Sequence, residues 1–190
     1  WLSKANINST GDITPSYSTL DAKSFEIIRE GLIRKGFQPK VIFLMRDPIE
    51  RIWSMLRMEW RNSSQHVEFE EAMQRLLNCH RQPGVKLRTQ YDRTITELER
   101  VFPADEIHYG FYENLFKPEY FHALIKFLGI EIPTPNFEQS VNASPKGEIQ
   151  NAEPNIAAEI VSTYSSVYYF IRERFGDQIA DLWPSYKYLG

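Results

Sequence analysis

The chain contains one cysteine, Cys79, in 190 residues. No intrachain disulfide can form, so the fold does not depend on an oxidising compartment. No apolar run approaches the roughly 20 residues of a membrane span. A basic excess is also missing: 22 lysines and arginines face 25 acidic residues, a net charge of −3. That balance argues against nucleic acid as the main partner. The histidines, His66, His80, His108 and His122, are scattered. There is no His-Glu-x-x-His segment and no cysteine pair, so no metal site is expected. The opening WLSKANINSTGD is polar after Leu2 and lacks the pattern of a secretory leader. A cytoplasmic or otherwise soluble protein, with no membrane segment in this chain, is therefore expected.

What is present is ordinary globular material, 42% hydrophobic and 25% charged. The length suits one domain over residues 1–190 with a real core. The opening stretch reads as a loop leading to a turn at Thr14-Pro15. Ser18 to Asp21 gives a capping-box-like pattern before a helix carrying Phe25, Ile28, Leu32 and Ile33 at helical spacing, with Gly36 as its C′ residue. Further helices are expected over Pro48 to about Trp60, Phe69 to Asn78, Leu87 to Val101, Pro118 to Leu128 and Asn155 to Phe175. Gln82-Pro83-Gly84 reads as a breaker. Ile107 to Tyr112 reads as a strand with aromatic enrichment. Strands alternating with helices indicate an α/β domain with a parallel sheet.

The segment Lys40 to Leu56, KVIFLMRDPIERIWSML, is the most informative. Val41 to Met45 is too short for a helix and uniformly apolar, as a fully buried parallel strand would be. Asp47 is a good N-cap and Pro48 a good first helical residue. Arg46 thus falls at the carboxyl end of a strand beside a helix N-terminus. Open α/β sheets bind ligands at that edge, and helix N-termini attract anions. Arg46 is a candidate phosphate ligand, or it pairs with Asp47 or Glu50. Ser54 follows on the same helix, and Arg51 lies between them.

This R-x-P-x-x-R-x-x-S arrangement resembles the 3′-phosphate-binding segment of sulfotransferases that use 3′-phosphoadenosine 5′-phosphosulfate (PAPS). In that family the first arginine and the serine grip the 3′-phosphate, which implies Arg46 and Ser54 here. A guanidinium offers phosphate a bidentate fork, and a hydroxyl adds a neutral donor. Other segments extend the likeness along the chain. Gly11 to Tyr17, GDITPSY, resembles the G-E-K-T-P-x-Y segment of carbohydrate-type members. It departs at Asp12, where relatives have glutamate, and at Ile13, where many have a lysine near the transferring group. Ile13 gives no support for an electrophilic role at that position. Tyr91 to Phe116 and Phe127-Leu128-Gly129-Ile130 are similar to the helix-strand-loop stretch and the F-L-G-I/L segment of the family. Asn142 to Gly147 resembles the loop that closes over the nucleotide, which implies a phosphate contact by Lys146 and Gly147.

The resemblance implies an α/β, three-layer P-loop-NTPase-like fold with a central parallel sheet flanked by helices. It implies transfer of a sulfuryl group from PAPS to a hydroxyl of a carbohydrate or other metabolite, leaving 3′-phosphoadenosine 5′-phosphate (PAP), with no metal. The family's phosphate loop, with its lysine, glycine and threonines, has no counterpart: the stretches around Gly11, Gly31, Gly36, Gly84 and Gly110 lack the neighbours it needs. Trp1 resembles a tryptophan shortly before the G-E-K-T-P segment, so the chain is expected to begin after that loop. The catalytic glutamate of many carbohydrate-type relatives lies in the same region, and the base is left unassigned. His80, His108 and His122 suit surface or packing roles. His66 borders the helix after Arg46 and comes nearest to a candidate. Trp53, Trp60 and Arg57 could line an acceptor cleft, with Trp53 equally suited to the core. A P-loop kinase relative and a non-catalytic nucleotide- or glycan-binding module remain as alternatives.

Overall fold

The structure is a computed structural model that describes residues 9–64, 67–137 and 154–190. It is α/β and mostly helical. Strands β1 (Val41–Met45) and β2 (Ile107–Phe111) pair in parallel, with Val41 opposite Ile107 and Met45 opposite Phe111. The helices are α1 (Ala22–Arg34), α2 (Pro48–Asn62), α3 (Phe69–Cys79), α4 (Pro83–Thr89), α5 (Tyr91–Glu99), α6 (Pro118–Leu128), α7 (Pro154–Thr163), α8 (Ser165–Phe175) and α9 (Gln178–Leu182). Among the described residues no helix is long and apolar enough to cross a membrane.

Side chains alternate across a strand, so each face of the sheet has its own fate. On one face Phe43 and Met45 are buried with Phe111. Aromatic rings close over them: Tyr91 lies edge-on to Phe43 at 5.9 Å, Phe175 to Phe111 at 5.5 Å, and Trp183 to Phe111 at 6.0 Å. Trp183 also meets Tyr168 at 90° and 5.5 Å. This aromatic layer is the centre of the core, and the segment after α8 supplies its largest side chain. Among the described residues, the opposite face is covered mainly over β2. There Tyr120 and Phe127 of α6 lie against His108, at ring separations of 5.4 and 5.2 Å. Ile42 and Leu44 stay 40% and 38% exposed. The expected fully buried β1 is therefore corrected to a strand buried on one face.

Two expected helices are each split in two. The stretch read as one helix from Leu87 to Val101 contains the end of α4 and all of α5, separated at Gln90 (φ −77°, ψ 72°). The break expected at Gln82-Pro83-Gly84 falls between α3 and α4, with Gln82 the N-cap and Pro83 the first residue of α4, where a proline loses no intrahelical hydrogen bond. After the break, Tyr91 points to the sheet and its hydroxyl donates to the Arg46 carbonyl at 2.8 Å. The expected Asn155 to Phe175 helix is interrupted at Tyr164 (φ −111°, ψ 17°), whose hydroxyl bonds the buried His80 carbonyl. Both breaks bring a tyrosine hydroxyl to a backbone carbonyl, which a helical period does not reveal. Strand β2 also ends one residue early, with Tyr112 starting a 3₁₀ turn.

The start of α1 differs as well. Ser18 sits in a 3₁₀ turn (Pro15–Thr19) and bonds the Pro15 carbonyl, so no Ser18-to-Asp21 box forms. Asp21 is the N-cap itself and accepts the Ser24 N–H at 2.9 Å. Only Phe25 of α1 is buried, while Ile28 and Ile33 remain exposed. Polar contacts hold this helix: Arg29 makes two hydrogen bonds to Glu106 at 2.9 and 3.0 Å, and Ala22 N–H donates to Glu97 at 2.6 Å. The expected C′ glycine is present, Gly36 at φ 82°.

Gly110 marks the closest approach of α6 to the sheet. A Cβ at that position would lie 1.9 Å from the Tyr120 hydroxyl oxygen. Gly110→Ala is expected to cost about 1–3 kcal/mol through this overlap. The Gly110→Ala/Tyr120→Ala double variant should lose less than the sum of the two single losses in urea denaturation. Strictly additive losses would contradict the contact.

Candidate functional site

At the carboxyl ends of β1 and β2 the chain gathers one arginine and three carboxylic acids. Arg46 leaves β1 directly. Its Nη2 donates to Glu50 Oε2 at 2.9 Å, and its Cζ stands 4.4 Å from the centre of the Tyr112 ring. A guanidinium over an aromatic face is attracted by the ring's electron density. The Arg46 and Glu50 side chains are 22% and 20% exposed, so the pair is only partly screened by water. Of the two partners left open by sequence, the structure selects Glu50. Glu50 sits in the first turn of α2, which the Asp47 N-cap opens right after Arg46, so its carboxylate lies beside the end of β1.

Asp47 does different work. It is wholly buried. Its carboxylate accepts the Ile49 and Glu50 N–H groups at 2.9 and 3.3 Å, and the Ser185 N–H and hydroxyl at 2.8 and 2.6 Å. Its own N–H donates to Glu113 Oε1 at 3.1 Å. The expected N-cap is therefore present. The first-turn N–H groups expected to attract an anion are already taken by this carboxylate. These amides are therefore engaged within the protein.

Ser54 is half-buried on α2. Glu50, Ser54 and Arg57 follow at spacings of four and three and share one flank of the helix, while Ile49, Ile52, Trp53 and Leu56 are buried on the other. Ser54 thus lies one turn beyond the partner of Arg46. Arg51 faces elsewhere: it donates to the Thr89 hydroxyl at 2.9 Å and to the Val85 carbonyl at 3.2 Å, tying α2 to α4. Lys146, Gly147 and His66 lie outside the described residues.

The other candidates settle into packing. Trp53 is in the core, edge-on to Trp60 at 5.5 Å. His80 is buried between the Leu77 carbonyl at 2.6 Å and the Thr163 hydroxyl at 3.2 Å, and burial lowers its pKa. His108 meets the Tyr120 hydroxyl at 3.2 Å, and His122 is exposed. Burial raises the Cys79 thiol to about 11, which leaves it protonated and unreactive. Asp12 accepts the Thr14 and Tyr17 hydroxyls at 2.7 and 2.5 Å, and Ile13 beside it is 97% exposed. A cleft of about 440 Å³ opens between α2, α3 and α4, floored by Leu56, Cys79 and Val85 and rimmed by Glu59, Arg75 and Arg88; it shares no residue with the Arg46 cluster. Among the described residues no group of three or more histidine, cysteine, aspartate or glutamate side chains is arranged for a metal ion.

Sequence reasoning missed Tyr112, Glu113 and Ser185. Tyr112 falls at the end of the stretch expected as strand and instead starts the turn that follows β2. Glu113 and Ser185 lie 66 and 138 residues from Asp47, and no local pattern links them to it. The only usable signal was that both strand ends place polar residues at the same sheet edge.

Comparison with protein-family models, with curated proteins and with solved structures gives no match for this chain.

The acids share one electrostatic feature. Burial raises the pKa of Asp47 above its ordinary value, against the lowering by hydrogen bonds from Ser185 and the α2 amides. Burial also raises Glu50, opposed by the positive charges of Arg46 and Arg57. It raises Glu113, whose Oε2 is buried without a hydrogen-bond partner. An acid with a raised folded-state pKa binds more protons folded than unfolded. Its stabilising contribution is complete below the ordinary carboxylate range and is lost as pH rises through the raised value. Glu113→Gln is expected to flatten the decline in stability as pH rises from the ordinary carboxylate range toward the raised value. Urea denaturation across that range measures it, and a variant with the wild-type slope would contradict the assignment.

Proposed function

We propose that this chain is a sulfotransferase-type domain that holds the 3′-phosphate of PAPS or PAP with Arg46 and Ser54. The fold assigned with it is the three-layer, P-loop-NTPase-like arrangement, of which the parallel β1–β2 pair would form part. The supporting observation is the position of Arg46. Its guanidinium stands at the carboxyl edge of a parallel strand, stacked on Tyr112 and still partly open to solvent. Ser54 lies on the same flank of α2 as its partner Glu50.

In sulfuryl transfer an acceptor oxygen attacks sulfur in line with the departing phosphate oxygen. Alignment depends on holding the nucleotide at a distance from the reacting atoms, so that binding energy fixes orientation. Arg46 and Ser54 supply that hold at the 3′ end, with Lys146 and Gly147 proposed to close over the nucleotide. The acceptor is a hydroxyl of a carbohydrate or another metabolite. A base for it and donors for the leaving group complete the chemistry. A second reading, a nucleotide-binding module without transfer, draws support from the exposed Ile13 where the resembled segment has lysine.

Arg46→Ala is expected to weaken PAP binding by about 2–3 kcal/mol, the range for a charge-assisted contact to phosphate. Ser54→Ala should cost about 1 kcal/mol for one neutral hydrogen bond. Titration calorimetry measures both. Unchanged affinity in a folded Arg46→Ala variant would remove the assignment.

A further inference from the structure

Arg46 already has an anion. Glu50 lies 2.9 Å from its guanidinium, on the flank where Ser54 follows one turn later. A phosphate gripped by Arg46 and Ser54 would meet the Glu50 carboxylate in the same space. The other charges facing Glu50 are Asp47 and Arg57 from its own helix, and Glu113 stands across the strand ends against Asp47 and Arg46. Two acids beside Glu50 leave little positive charge to tolerate both it and a phosphate dianion.

We propose that Glu50 is an internal stand-in for the ligand's phosphate: it occupies Arg46 in the free chain and gives up the guanidinium when a phosphate monoester binds, taking a proton from solvent as it does so. The inference rests on the Arg46 reading above and adds the regulation of that site. The Arg46–Glu50 ion pair breaks, an Arg46–phosphate pair forms, and a solvent proton neutralises the Glu50 carboxylate. Burial already makes that carboxylate easier to protonate than an ordinary one. A nearby phosphate shifts it further in the same direction. Glu50 then acts as a positioning residue: it orders Arg46 over Tyr112 when no ligand is present and makes anion binding pH-dependent.

The test is calorimetric titration of PAP into the wild type, Glu50→Gln, Glu50→Ala and Arg46→Ala at about pH 6, 7 and 8, with circular dichroism to confirm folding. Glu50→Gln should bind PAP about tenfold tighter than the wild type at pH 8, the factor set by one pKa unit of differential interaction. The advantage should shrink as pH falls, because the wild-type carboxylate becomes protonated. Ionisation of the phosphate affects both proteins alike, so the ratio isolates Glu50. Wild-type titrations in two buffers of different ionisation enthalpy should show net proton uptake exceeding that of Glu50→Gln. This readout stands even if Glu50→Ala unfolds. Equal or weaker binding by Glu50→Gln, with Arg46→Ala still impaired, overturns the stand-in role and leaves the Arg46 site intact. Wild-type affinity in Arg46→Ala, or no PAP binding by the wild type, overturns the site itself and this inference with it.

Discussion

The buried carboxylate of Asp47 is the contact on which the sheet edge depends. Four hydrogen bonds converge on it, two from the first turn of α2 and two from Ser185. A capping interaction is worth about 1 kcal/mol. A buried donor that loses its acceptor costs about 1–3 kcal/mol. Removing Asp47 would therefore disturb α2 and the C-terminal segment together. The same residue passes a hydrogen bond to Glu113 through its backbone N–H. Arg46 is thus placed by its neighbour: the strand ends where α2 is capped, and the guanidinium must turn toward Glu50 and Tyr112.

The charge balance at this edge follows from that arrangement. Asp47 takes the helix amides that would otherwise face an anion, so the usual attraction of a helix N-terminus is spent within the protein. Arg46 remains as a cation at this edge, and Glu50 is the acid paired with it. Burial makes all three acids reluctant to ionise.

Much of this was legible from local patterns. The five apolar residues of β1, the Asp-Pro helix start and the position of Arg46 all rest on short-range rules, and the alternation of strands and helices pointed to a parallel sheet. The errors have physical causes. Apolar content suggested full burial of β1, yet α6 covers only the β2 half of the outer face, because Tyr120 lies directly on Gly110. Helical periodicity ran through Gln90 and Tyr164, where tyrosine hydroxyls seek distant carbonyls. Ser185 and Trp183 lie beyond the last expected helix, and their burial depends on contacts with residues more than a hundred positions earlier for Ser185–Asp47 and seventy or more for Trp183. Pairing across such distances leaves no trace in residue spacing. Glu50 was visible as one possible partner of Arg46, and the structure selects it over Asp47.

The central claim is that Arg46 reads a 3′-phosphate. The most direct measurement compares PAP with adenosine 5′-phosphate, which lacks that group, on the wild type and on Arg46→Ala. The account predicts that the wild type prefers PAP and that the preference largely disappears in the variant, so that the coupling sits between this arginine and this phosphate. A wild type that binds both nucleotides equally, or a variant that keeps the full preference, would contradict it.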